Sequence, residues 1–202
     1  MGSIDMNEPI ETYKNKKGEV LKIYFETCPK NPRDWSNYGV MVCFHNRYNL
    51  GDAHPTINKD DFDSWDALRK SLIKEKGAVV ILPLRIYDHS GISISTTGEY
   101  PYSDKWDSAQ VGFIYTTKEK IKEMAGDKTP TKEKLVEYLN DEVKIYNQYL
   151  NGEVYFYQLI KIVKCNLGHE HEDVLDSCGG FYYIKDCLSE CDTDDHEFKR
   201  VD

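Results

Sequence analysis

Residues 78–87 read AVVILPLRIY, an apolar, β-branched run that describes a buried strand and stops at the polar Asp88-His89-Ser90-Gly91. Pro83 cannot donate to a strand ladder, so it predicts an edge position or a bulge within that strand. Just upstream, Lys59–Lys76 places Phe62, Trp65, Leu68 and Leu72 at helical steps, with Asn58 or Asp60 as N-cap and Gly77 past the end. Before it, Tyr38–His45 (YGVMVCFH) is a second apolar run, read as a central strand. Strand, helix and strand in this order permit a parallel neighbouring pair, because the connection is long enough for a crossover. The loops after both strands would then open on one edge of the sheet, bringing His45 and His89 into a shared cleft.

Outward from this core, EVLKIYFET (19–27) alternates as a strand, Ile92–Ser95 is a short partner, and QVGFIY (110–115) is a strand whose Gly112 marks a bulge or a close backbone approach. Thr116 or Thr117 caps a short helix ending at Gly126. Thr131 begins a longer one whose Leu135, Leu139, Val143, Tyr146 and Leu150 form one apolar stripe. Residues 153–163 are a long strand, 166–176 a polar turn, and Phe181–Ile184 a final strand. The pattern predicts an α+β fold: one domain over residues 6–185, with a mainly antiparallel or mixed sheet of about five to seven strands and two or three helices on one face. Residues 186–202 read as an acidic tail that frays, and residues 1–5 as a short leader ahead of Met6.

The 202 residues carry 26 basic and 35 acidic side chains, a formal charge of −9. That sign argues against duplex nucleic acid as a partner, since such binding depends on Lys and Arg. No apolar run is long enough to span a membrane and no secretion signal is evident, so the reading is cytoplasmic, with the six cysteines as thiols. No cofactor is implied. Cys178, Cys187, Cys191, His169 and His171 lack the spacing of a zinc site, and no metal is expected.

Phosphate-binding loops, dinucleotide fingerprints, the nucleophile elbow and HExxH are all missing from the chain. The remaining chemistry sits in polar turns. In Asp88-His89-Ser90-Gly91, Asp88 could orient His89 as a base toward Ser108 or Cys178, which makes Asp88, His89 and Cys178 the catalytic candidates. Binding candidates are His45, Arg47, Asp52, Asp88 and His89, together with Tyr100, Tyr102, Trp106 and Asp107 in a loop where exposed aromatics suit recognition.

The segments FHNRYNLGD (44–52), YDHSGISIST (87–96), WDSAQVGFIY (106–115), DEVKIYNQYLNGEVY (141–155) and LDSCGGFYY (175–183) together resemble a family of small acidic proteins encoded by bacteriophages and mobile elements. Ala109 stands where that pattern usually has glycine. The resemblance implies no reaction. It implies a noncatalytic protein acting in the host cytoplasm on a host defence protein, such as a CRISPR effector or a restriction enzyme, through acidic and aromatic surface. The alternative is a small-molecule or nucleotide pocket built from the His45, Asp88, His89 and Trp106 loops: Arg47 would grip phosphate, His89 transfer a proton and Trp106 stack a base.

Overall fold

The computed structural model describes residues 8–88, 91–97, 108–191 and 198–201. In chain order the elements are β1 (Glu11–Lys14), β2 (Glu19–Phe25), β3 (Val40–Cys43), α1 (Trp65–Glu75), β4 (Ala78–Asp88), β5 (Ile92–Ser95), β6 (Ser108–Thr117), α2 (Lys118–Ala125), α3 (Lys132–Leu150), β7 (Tyr155–Lys164), β8 (Glu170–Phe181), α4 (Ile184–Cys191) and β9 (Lys199–Arg200). The fold is α+β with antiparallel pairing throughout, but the strands divide into two sheets rather than one. The chain forms two compact units, residues 31–151 and a second made from residues 1–30 and 152–202.

In the 31–151 unit the sheet order is β3-β6-β4-β5. Helices cover both faces, not one. Met41, Val80, Leu84, Ile86 and Ile114 pack with Leu135, Leu139, Val143 and Tyr146 of α3, while Val42, Phe113 and Tyr115 on the opposite face pack with Leu68 and Leu72 of α1. The alternation along β3 and β6 therefore feeds two apolar layers, as strands buried on both faces require. Gly112 is obligatory: a Cβ there would lie 1.8 Å from the Val42 carbonyl oxygen. Pro83 sits where β4 pairs with β6 alone, because β5 covers only Arg85–Asp88, and the register shifts just after it between Leu84 and Arg85. It is thus a local edge inside an interior strand.

The strand at 38–45, read as central, is instead the edge strand β3. Its apolar composition comes from the helices on its two faces. Its open edge is closed by a loop: Val42 bridges Gly51, the Asp52 amide donates to the Met41 carbonyl (2.8 Å), and the Asp52 carboxylate accepts from the Met41 amide (2.8 Å). Gly51 (φ +73°) fits there because a Cβ would meet the Met41 carbonyl oxygen at 2.6 Å. β3 and β4 are not adjacent, but both are antiparallel to β6 and so parallel to each other. Their C-terminal ends share one sheet edge.

Helix entries follow local chemistry. Ser64 caps α1 by accepting from the Ala67 amide, so the helix starts later than residue 59; Asn58 caps a separate 3-10 turn over Lys59–Asp61. Thr117 and Thr131 cap α2 and α3 through the Lys120 and Lys134 amides.

The second unit holds the sheet β8-β7-β2-β1-β9, with Leu21, Ile23, Tyr157, Cys187 and Cys191 as its core cluster. Residues 166–176, read as a turn, mostly belong to β8, and a turn at Asn166–Gly168 joins it to β7. The segment expected to fray after residue 185 contains α4, which buries Cys187 and Cys191 one helical turn apart, and β9, which pairs with Tyr13 and Lys14. The final strand read at 181–184 is the end of β8 followed by the start of α4.

Candidate functional site

An open cleft of about 1490 Å³ lies in the 31–151 unit at the end of the sheet where β3 and β4 stop. The loop after β3 supplies His45, Asn46, Arg47 and Tyr48, β4 supplies Asp88, and the start of β6 supplies Ala109 and Gln110. Two loops read from sequence as polar strand ends therefore meet. Their contact is an ion pair between the Arg47 guanidinium and Asp88. Arg47 also lies over the Tyr48 ring at 5.4 Å from its centroid, and His45 stacks on the same ring at 5.0 Å. The His45 Nδ1 accepts from the Arg47 amide (3.2 Å), which curls the loop back on itself.

The opposite wall is aromatic. Phe44 packs edge-on against His54 (4.7 Å) and near Trp65 (6.4 Å), and the Lys59 ammonium stands 5.0 Å over the Trp65 ring. His54 spans the Cys43 and Ile57 carbonyl oxygens at 2.8 and 3.2 Å, pinning the loop to the end of β3.

Beneath this wall lies a buried ionic network that the sequence reading missed. The Arg33 side chain is 3% exposed. Its Nε and one terminal nitrogen donate to the two Asp52 carboxylate oxygens (2.7 and 2.8 Å), that same terminal nitrogen donates to the Gly39 carbonyl (2.8 Å), and the other terminal nitrogen donates to Glu142 (3.1 Å). Glu142 in turn accepts from the Tyr38 amide (2.7 Å). Burial alone would lower the Arg33 pKa, but Asp52 and Glu142 outweigh it and hold the guanidinium more firmly charged than usual. Asp52, a binding candidate from sequence, is thus committed to Arg33 and the β3 edge.

Cys43 lies under the cleft with its thiol pushed up to about 12, first by burial and then by Asp52. It is a protonated, weakly nucleophilic sulfur there. Cys178 belongs to the other unit, exposed on β8, and is no part of the cleft. His89, Tyr100, Tyr102, Trp106 and Asp107 lie outside the described residues. Ala109, where the resembled pattern has glycine, is in β6 opposite Ile86, so the position is strand and not turn. Among the described residues no group of three or more His, Cys, Asp or Glu could hold a metal ion, and no helix is long and apolar enough to cross a membrane.

No family model, curated protein or solved structure matches the chain.

Proposed function

We propose that this protein is a noncatalytic binding protein of the bacteriophage type that its motifs resemble, acting on a host defence protein as an anti-CRISPR or anti-restriction inhibitor in the host cytoplasm. The observation that carries this reading is the state of the cleft: ionisable side chains central to it are held by neighbours, Arg47 by Asp88, Asp52 by Arg33 and His54 by two carbonyls. A site arranged in this way presents a fixed charged and aromatic surface rather than an activated nucleophile or base. The net charge of −9 favours encounter with a basic groove of the kind that holds nucleic acid. The test is phage plating on hosts carrying one defined CRISPR or restriction system, with and without expression of this chain. Restored plating that is lost with Arg47→Glu supports the reading; unchanged plating across the defence systems overturns it.

One feature favours a second reading, in which the cleft takes a small phosphorylated ligand: the two cationic groups Arg47 and Lys59 share it with Phe44 and Trp65. Phosphate would draw Arg47 from Asp88 while the aromatic wall receives a base. A thermal shift with nucleotides or cyclic dinucleotides that Arg47→Ala abolishes supports this reading, and no shift with any of them removes it.

A further inference from the structure

Strand β8 is the outermost strand of its sheet. One side pairs with β7, and no described strand pairs with the other. Every residue from Glu170 to Gly180 is exposed. The outer main-chain groups of such a strand form a template for another strand, unless a device blocks it.

The first part of β8 is the best formed template. Glu170–Val174 runs in unbroken antiparallel register with Lys164–Ile160, and the register shifts only beyond it, where Leu175 is the extra residue. Five residues is an ordinary strand length. β2 reaches only Lys161 of β7, so Ile162–Lys164 and Glu170–Glu172 project as a two-stranded ribbon. A two-stranded ribbon is marginal alone, and a third strand would stabilise it.

The chemistry of the edge selects the occupant. β8 reads EHEDVLDSCGGF, with four carboxylates, no Lys or Arg, and no Pro. Glu170 and Glu172 lie on one face and Asp173 on the other, as their β7 partners Lys164, Ile162 and Lys161 alternate. Lysines stand behind the strand: Lys164 pairs with Glu170 at 3.3 Å and Lys22 with Glu172 at 2.5 Å, with both carboxylates more than half exposed. An exposed carboxylate has acceptor sites to spare for a second cation. Val174 (53% exposed) adds an apolar contact at the end of the stretch.

We propose that Glu170–Val174 receives an extended basic segment of a partner protein by strand addition, main-chain bonds supplying the pairing and Lys or Arg side chains meeting the acids. A second copy of this chain is the wrong occupant. Antiparallel self-pairing centred on Glu172 sets that carboxylate against its own copy, and like charges directly across a ladder are destabilising. The inference shares with the proposed function only the premise of a protein partner and uses none of the cleft residues.

The test uses the full chain and two labelled peptides, one alternating Lys with Val and one alternating Glu with Val, followed by anisotropy and by amide hydrogen exchange. The Lys peptide should bind, release as salt rises, and slow exchange at Glu170–Val174. The double variant Glu170→Lys/Asp173→Lys, at exposed positions, should bind it about tenfold more weakly, while Arg47→Glu leaves it unchanged. Equal binding of both peptides, binding without protection of Glu170–Val174, or self-association of the unaltered chain through that stretch would each overturn the proposal. Because no plating is scored, failure here is distinct from failure of the defence-inhibitor reading.

Discussion

Strands β3 and β8 are both edge strands, and they differ in what lies beside them. Along β3 a loop supplies Gly51, Asp52 and His54 to the Val42, Met41 and Cys43 backbone, and Arg33 anchors that loop from below. Along β8 no described strand pairs with the outer side, and the strand carries a set of exposed acids. The first edge is closed by part-buried hydrogen bonds, which hold the covering loop against it; the second is guarded by charge, which excludes like strands but admits opposite ones. In these two antiparallel sheets one edge strand is rigid and the other selective, according to whether the covering group is bonded or merely repels.

The comparison breaks most directly at Arg33. Arg33→Ala leaves Asp52 and Glu142 facing each other without their cation, and removing one member of such a network costs about 3–5 kcal/mol; chemical denaturation should show the loss, and the β3 amides should lose exchange protection. Next, Gly112→Ala puts a Cβ against the Val42 carbonyl and should cost about 1–3 kcal/mol through strain at the β3–β6 pairing. Denaturation that leaves either variant as stable as the parent would contradict the packing described.

A pH effect sharpens the contrast. The Cys43 thiol is raised by burial from 9.0 to about 12. Below that lower value both folded and unfolded chains keep the proton; above it the unfolded chain releases it first, so this contribution to stability is lost as pH rises toward the folded value. Relative to Cys43→Ala, the parent should lose about 1 kcal/mol for each pH unit in that window, measured by denaturation at a series of pH values. Maleimide labelling should modify the exposed Cys28 and Cys178 well before Cys43.

At β8 the effects on stability are the smallest. Neutralising the edge with Glu170→Gln, Glu172→Gln and Asp173→Asn should leave folding intact and produce concentration-dependent self-association in sedimentation, because the repulsion that blocks self-pairing is gone. Leu167→Asp at the turn, where the side chain is 82% exposed, should change stability by no more than about 0.5 kcal/mol.

What was legible in the sequence follows the same division. α2 and α3 could be read because their Thr caps and apolar stripes are local, and Pro83 announced a local edge because its missing N–H is intrinsic. β8 was hidden because exposure on both faces leaves no apolar alternation; only its pairing with β7 makes it a strand. β3 misled in the other direction, since burial by helices on two faces gives an edge strand the composition of a central one. For the site, the expected meeting of His45 and His89 rested on neighbouring strands, whereas β6 separates β3 from β4 and His89 lies outside the described residues. The His45–Arg47 loop and Asp88 do reach the same end of the sheet. Arg33 carried no signal, since its partners lie 19 and 109 positions away and nothing in NPRDW marks it for burial.

The pairing of β2 with β7 sets the order of events during synthesis. Phe25 lies opposite Tyr155, and the Glu26 amide donates to the Val154 carbonyl at 2.8 Å, so the whole 31–151 unit is spliced between two neighbouring strand ends. On a ribosome, β2 emerges early with Leu21 and Ile23 uncovered and must wait until residues 155–164 are made. Closing so long a loop as a flexible chain carries an entropic cost that a spliced unit already folded, with its two ends near each other, largely removes. The inserted unit therefore acts as a scaffold in time, and a lesion that slows its folding would delay assembly of a sheet to which it contributes no strand.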